Sequence, residues 1–373
     1  MVEGNDTGSG KGRDARVDGT NRDYIDYEQV KKQQSYRFAE AEQDLEEGGS
    51  EAFDTETPIH TCDFSRYLHG GAAERAACAR ELGGALEGIG FAILVNHGVD
   101  AQLYERAEQE VRKIFTTNSL ESKLRFRARR HGSINQGYFP IQETSDIHPD
   151  LVEGWVFCRR AFAELSSAEV ALEDFWPALE HETVFRALCQ AQERLVQPIA
   201  RCLLQHLGCE PRLLDERLAG TNFGLRLNYY PPIPEGAPRG AGRLLGHEDV
   251  DLFTLLPAPR CEGLQVLNRR NFRWIRLMAP ANALILNTGD YLQRISNDRY
   301  PSTTHRVSRP RDPRLKQSDR VSFPMNIYLS EEELLEVLPG LANPKYPPVR
   351  AIEFHTRTTA KHYGDNYAVD SEA

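Results

Sequence analysis

Residues 244–256 read LLGHEDVDLFTLL and carry a histidine and an aspartate two positions apart, His247 and Asp249. In an extended strand, residues i and i+2 point to the same face. The spacing therefore predicts one imidazole and one carboxylate aimed at a common point. His305, in STTHRVSRP (302–310), is the third ligand expected there. Two histidines and one carboxylate on one face of a metal, with the remaining positions open, suit non-haem Fe(II) chemistry with oxygen. His148-Pro149-Asp150 has the same His-x-Asp spelling. Its proline and loop-like surroundings, and the absence of a later partner, read instead as a solvated loop, with Asp146 alongside.

The chain has 373 residues, 40% of them hydrophobic, and a net charge of −10. Without clustered Lys and Arg, nucleic acid is not expected as a partner. No apolar run is long enough for a membrane span, and the first residues contain no apolar segment of a secretory signal. The seven cysteines are scattered, with no CxxC pair. That usage points to reduced thiols and a cytoplasmic location. Oligomeric state is left open.

Outward from 244–256, texture divides the chain. Residues 1–53 form a polar arm, disordered over its first 22 residues. Asp23–Glu47 could form a helix or remain a mobile arm. Residues 54–210 read as a mainly helical region. Helices are expected near 72–90, over 101–116 and over 178–207, the last kinked or broken at Pro198. A buried strand, FAILVNHG (91–98), follows the first helix, and His97 reads as a packed core residue. The stretch 125–160 reads as loop-rich and basic. From 211 to 330 short strand-like runs alternate with turn signals, which marks a β sandwich or barrel. NRRN (268–271) is expected to turn a hairpin. Residues 331–373 form a mixed, helix-like tail or lid. The fold class is thus mixed α and β, with helices flanking a β core.

Two strand faces in that core are polar. GLRLNYY (224–230) sets Leu225, Leu227 and Tyr229 on one face and Arg226, Asn228 and Tyr230 on the other. A cation-bearing face inside a β core is costly unless it meets water or a ligand. Arg320 and Ser322 share a face in DRVSFPMNIYL (319–329), a good socket for a carboxylate.

Taken in order, NYYPP, His-x-Asp with a following TLL, GLQVL, LILNTGDYLQRISNDRYPSTTHRV and Arg-x-Ser resemble the isopenicillin N synthase-like branch of the Fe(II)/2-oxoglutarate-dependent dioxygenases. CDFS (62–65) and GIGFAILVNHGV (88–99) match in style, and the resemblance covers about residues 58–330. It implies a double-stranded β-helix (jelly-roll) core with flanking N-terminal helices and a C-terminal helical tail. His247, Asp249 and His305 correspond to the iron triad and catalytic centre. Arg320, Ser322 and Tyr230 correspond to the residues that hold the far carboxylate of 2-oxoglutarate, and Asn228 and Arg226 to positions lining the site. Implied cofactors are Fe(II), 2-oxoglutarate as co-substrate and O2. The implied reaction oxidises a C–H bond of a small-molecule substrate by hydroxylation, desaturation or ring closure, releasing succinate and CO2.

The substrate is expected to be polar or carboxylate-bearing, in specialised metabolism, with Arg129, Arg130, Tyr138 and Phe139 near it. Two departures stand out. Asp251 occupies a place where a small residue is common, and it either marks a bend or touches the site. The gap from His305 to Arg320 is long and reads as a loop insertion. Two other readings stay open at this point. One is a 2-oxoglutarate-independent Fe(II) oxidase of the isopenicillin N synthase type. The other is a non-catalytic jelly-roll ligand-binding protein.

Overall fold

The computed structural model describes residues 53–131, 134–141, 150–165, 171–235, 237, 242–310 and 312–363. The helix weighed for Asp23–Glu47 lies outside them, as do Asp146 and His148.

In chain order the principal strands are β1 (Thr61–Asp63), β2 (Phe91–Val95), β3 (Arg129–His131), β4 (Ile134–Phe139), β5 (Glu153–Cys158), β6 (Asn222–Tyr230) and β7 (Leu244–His247). Then come β8 (Phe253–Pro257), β9 (Leu264–Leu267), β10 (Trp274–Arg276), β11 (Leu284–Thr288), β12 (His305–Val307), β13 (Arg320–Ser322) and β14 (Met325–Tyr328). The longer helices are α1 (Ala72–Ile89), α2 (Ala101–Thr117), α3 (Leu179–Leu207) and α4 (Ala351–Tyr363). The large sheet runs β1-β2-β11-β8-β14-β6-β5-β4-β3, with β13 also on β6, and the smaller sheet runs β10-β9-β12-β7.

Alternation along the strands gives the large sheet two apolar faces. Leu284 and Leu286 of β11, Leu255 of β8, and Leu225 and Leu227 of β6 join Leu188, Leu195 and Ile199 of α3 in the main core. Ile285, Leu256, Phe91 and Ile93 point the other way, onto Leu264, Val266 and Ile275 of the smaller sheet. Each such side chain, fully buried, stabilises by roughly 1.5–3 kcal/mol. Two facing sheets of mainly antiparallel strands, backed by helices, make a jelly-roll core.

The fold differs from the expectations in several places. Residues 129–158 are not simply loop-rich: β3, β4 and β5 extend the large sheet, with β5 paired along β6 from Glu153↔Tyr229 to Cys158↔Gly224. Of the kink or break expected at Pro198, the break does not occur: helix α3 runs on through it. Leu195, Val196, Ile199 and Ala200 are buried on either side of it, and that packing outweighs one lost helical hydrogen bond. Asp150, expected on a solvated loop, is buried at 1% exposure. The NRRN hairpin forms as read, joining β9 to β10 with Leu267 opposite Trp274. His97 is a packed residue whose Nε2 lies 2.9 Å from the Asn282 carbonyl. The long gap before Arg320 holds a short helix, Pro313–Lys316.

Candidate active site

Strand β7 ends at His247, so Asp249 is not on that strand. Asp249 therefore does not share a strand face with His247, as the i, i+2 spacing predicts; a loop delivers the carboxylate. Backbone bonds pin the loop to the segment entering the short helix Asp290–Ile295. Asp290 N donates to the Asp249 carbonyl (2.8 Å), Tyr291 N to that of Asp251 (2.9 Å), and Gly289 N to that of Leu252 (3.0 Å). The approach is close at Gly289. A Cβ there would sit 2.5 Å from the Asp251 carbonyl oxygen and 2.8 Å from that of Asp249. Gly289→Ala is therefore expected to destabilise the fold by about 1–3 kcal/mol and lower Tm by several degrees. An unchanged calorimetric Tm would show that the loop yields freely.

Strand β12 brings in the third residue, with His305 opposite His247 in register. The ligand atoms of His247, Asp249 and His305 all lie within 4.8 Å of one another. Asp249 Oδ1 is 3.7 Å from His247 Nε2 and 3.9 Å from His305 Nε2. The imidazole centroids are 4.3 Å apart. His305 Nδ1 lies 3.2 Å from the Thr303 carbonyl. A proton on Nδ1 then leaves the Nε2 lone pair facing the centre. Asp249 Oδ2 accepts from Thr254 Oγ1 (2.6 Å) and Asn287 Nδ2 (2.8 Å), which leaves Oδ1 for the same centre. Burial alone would raise the Asp249 pKa, but His305, His247 and the two hydrogen bonds outweigh it and hold the carboxyl below its usual range.

Asp251 stands behind this group, at 0% exposure. Its Oδ2 lies 2.7 Å from Thr254 Oγ1, whose one proton goes to Asp249, and accepts from Asn326 Nδ2 (2.8 Å). Burial, then the charge of Asp249, pushes its carboxyl well above the usual range. The sequence signalled this residue as an oddity. The chain bends there, and Asp251 reaches Asp249 only through the Thr254 hydroxyl. Thr254, Asn287 and Asn326 were not singled out in the sequence, although the TLL and LILNTGD motifs contain the first two.

The second polar cluster lies where β13 pairs with β6, matching Arg320 to Tyr230 and Ser322 to Asn228. The Arg320 guanidinium carbon is 4.9 Å from the Tyr230 ring centroid, and Asn228 Nδ2 donates to Ser322 Oγ at 3.4 Å. Arg226 Nε donates to Asn228 Oδ1 at 2.8 Å, and its guanidinium carbon lies 5.6 Å from the Phe139 ring centroid. Arg320 is 1% exposed, yet its Nε and Nη1 have no hydrogen-bond partner among the described residues. A buried guanidinium with unsatisfied donors calls for an anion. Two imidazole nitrogens and a carboxylate oxygen that converge on one centre suit Fe(II).

Of the basic loop residues, Phe139 meets Arg226, and Arg130 donates to Thr356 Oγ1 of α4. Tyr138 faces the opposite way, donating to Glu153 Oε2 at 2.6 Å within the helix-side core, because β4 alternates. Arg129 is exposed.

Two family models match, the 2OG-Fe(II) oxygenase superfamily over residues 221–325 and the N-terminal region of the non-haem dioxygenase in morphine synthesis over 59–178. Gibberellin 2-beta-dioxygenase 6 of Oryza sativa subsp. japonica is 30% identical over 264 residues, which is 68% of each chain. The 2-oxoglutarate-Fe(II) type oxidoreductase ppzC of Metarhizium rileyi is 27% identical over 337 residues, 82% of this chain and 87% of that one. Among solved structures, full-length Neurospora crassa T7H in complex with alpha-KG superposes with a TM-score of 0.72 at 23% identity, covering 83% of this chain and 98% of that one. It has also been solved with alpha-KG and thymine. The chain belongs to the 2OG-Fe(II) oxygenase superfamily and is an Fe(II)/2-oxoglutarate-dependent dioxygenase.

Proposed function

We propose that His247, Asp249 and His305 hold the Fe(II), and that Arg320, Ser322 and Tyr230 receive the far carboxylate of 2-oxoglutarate, with Asn228 fixing Ser322. The observation that carries this is a pairing of unlike sites. A three-atom donor set lies between the sheets, and a buried guanidinium with unpartnered Nε and Nη1 lies on β13. Metal and co-substrate bound there supply an oxidant made from O2 as 2-oxoglutarate is decarboxylated to succinate and CO2. The protein's own part is orientation. The Thr303 carbonyl fixes the His305 ring, and Thr254 and Asn287 hold one carboxylate oxygen of Asp249 so that the other faces the metal.

The reaction is oxidation of a C–H bond in a small polar or carboxylate-bearing molecule. Arg226 and Phe139 are the residues best placed to meet it, because Arg226 continues the polar face of Asn228 and Tyr230. The thymine complex of T7H supports a substrate of that size and polarity.

The test loads the full chain with Fe(II) and supplies 2-oxoglutarate with a panel of small carboxylic acids and polar heterocycles. The expected result is succinate formed one-for-one with oxidised substrate. Substrate oxidation that consumes O2 without succinate would overturn the reading. A narrower test concerns Thr254→Val, which keeps the shape and removes the hydroxyl. Metal affinity is expected to fall about 10- to 100-fold, the usual cost of losing a partner behind a ligand. Competition with a chromophoric chelator measures it, and unchanged affinity would mean that Asp249 needs no such restraint.

A further inference from the structure

Arg243 stands immediately before β7 and is 2% exposed. Its Nη2 donates to the carbonyls of Ser318 (3.0 Å) and Leu315 (3.5 Å), which ties it to the segment leading into Arg320. The next residue, Leu244, packs with Tyr230 and Val307. The Tyr230 ring in turn carries the Arg320 guanidinium. Two buried arginines therefore lie near one another, Arg320 against the Tyr230 ring and Arg243 within reach of the charge of Arg320. Arg243 Nε, like Arg320 Nε and Nη1, has no hydrogen-bond partner among the described residues. Asp319, whose charge reaches Arg243, is engaged with Arg112 at 3.0 Å. Burial, then the charge of Arg320, lowers the Arg243 pKa, against the opposing charges of Tyr230, Cys261 and Asp319.

We propose that Arg243 is a second cationic anchor of the co-substrate socket, which acts with Arg320 on the far carboxylate of 2-oxoglutarate. This rests on the socket reading of Arg320 and Ser322. One guanidinium satisfies a carboxylate in a bidentate pair; a second, enclosed beside it, makes an empty pocket that repels itself and a filled one that does not. Because Arg243 also holds the carbonyls of Leu315 and Ser318, one side chain links the socket to the segment that leads into Arg320.

The test is binding without turnover. Full-length protein is loaded with Mn(II) under anaerobic conditions and titrated with 2-oxoglutarate and with 2-oxopentanoate, which has the same chain length and no far carboxylate. Arg243→Gln keeps an N–H donor for Ser318 and loses the charge. It is expected to weaken 2-oxoglutarate about tenfold or more, while 2-oxopentanoate stays within about twofold of wild type. Arg243→Lys keeps the charge and is expected to bring 2-oxoglutarate back to within about threefold. The proposal is overturned if Arg243→Gln binds 2-oxoglutarate normally, if both ligands weaken together, or if Lys and Gln lose equally. Arg320→Met is run alongside. Normal 2-oxoglutarate binding by that variant would sink the socket reading itself, a separate result.

Discussion

Alanine in place of Asp249 is expected to strip the iron and to cut succinate formation by ~1,000-fold or more, at least about 4 kcal/mol of lost transition-state stabilisation. Asp249 is the anionic member of the set, and it lies 3.7 and 3.9 Å from the two imidazole nitrogens. Two neutral imidazoles alone do not select Fe(II), since imidazole serves zinc, copper and nickel as well. Asp249→Asn separates chemistry from folding, because it keeps the shape while removing the charge. It is expected to fold normally, with metal content well below one atom per chain. Elemental analysis after gel filtration and a succinate assay measure both effects. A variant that retained a full complement of iron and normal turnover would remove Asp249 from the metal's coordination.

The three proposed ligands were legible because chemistry-bearing residues are scarce and their order is distinctive. Their spacing, however, is not what brings them together. Strand geometry alone put His247 and Asp249 on one face, whereas β7 stops at His247. The loop 249–252 reaches its place through bonds to residues 289–291, about 40 positions later, and no local pattern encodes a contact at that range. Thr254, Asn287 and Asn326 escaped notice for the same reason. Each reads as an ordinary strand residue until its remote carboxylate is known. Arg243 was hidden because four residues of β7 give too short a run to mark a strand. The sheet order of β3 to β5 was also obscured. Gly137, at φ 124°, lies in conformational space that other residues rarely enter. In contrast, α1, α2 and α3 and the polar face of β6 followed directly from periodicity.

Arg320→Met is expected to raise the KM for 2-oxoglutarate by about 30-fold to a few thousand-fold, the 2–5 kcal/mol range for removing one partner of a buried charge pair. Arg243, as a second cation, keeps the effect below the top of that range, and three features keep it above the bottom. Arg320 is 1% exposed, so water cannot substitute for the guanidinium. Tyr230 fixes the guanidinium by its ring face, and Ser322, two residues on, adds only a neutral donor. Ser322→Ala should accordingly cost about 1 kcal/mol, roughly fivefold, as the loss of one uncharged hydrogen bond does. The far carboxylate undergoes no chemistry, so its contacts are equally strong before and during reaction. Their loss should appear in KM far more than in kcat. If saturating 2-oxoglutarate failed to restore most of the rate to Arg320→Met, the residue would be acting at the reacting end of the site, and the carboxylate socket would have to be sought elsewhere between the sheets.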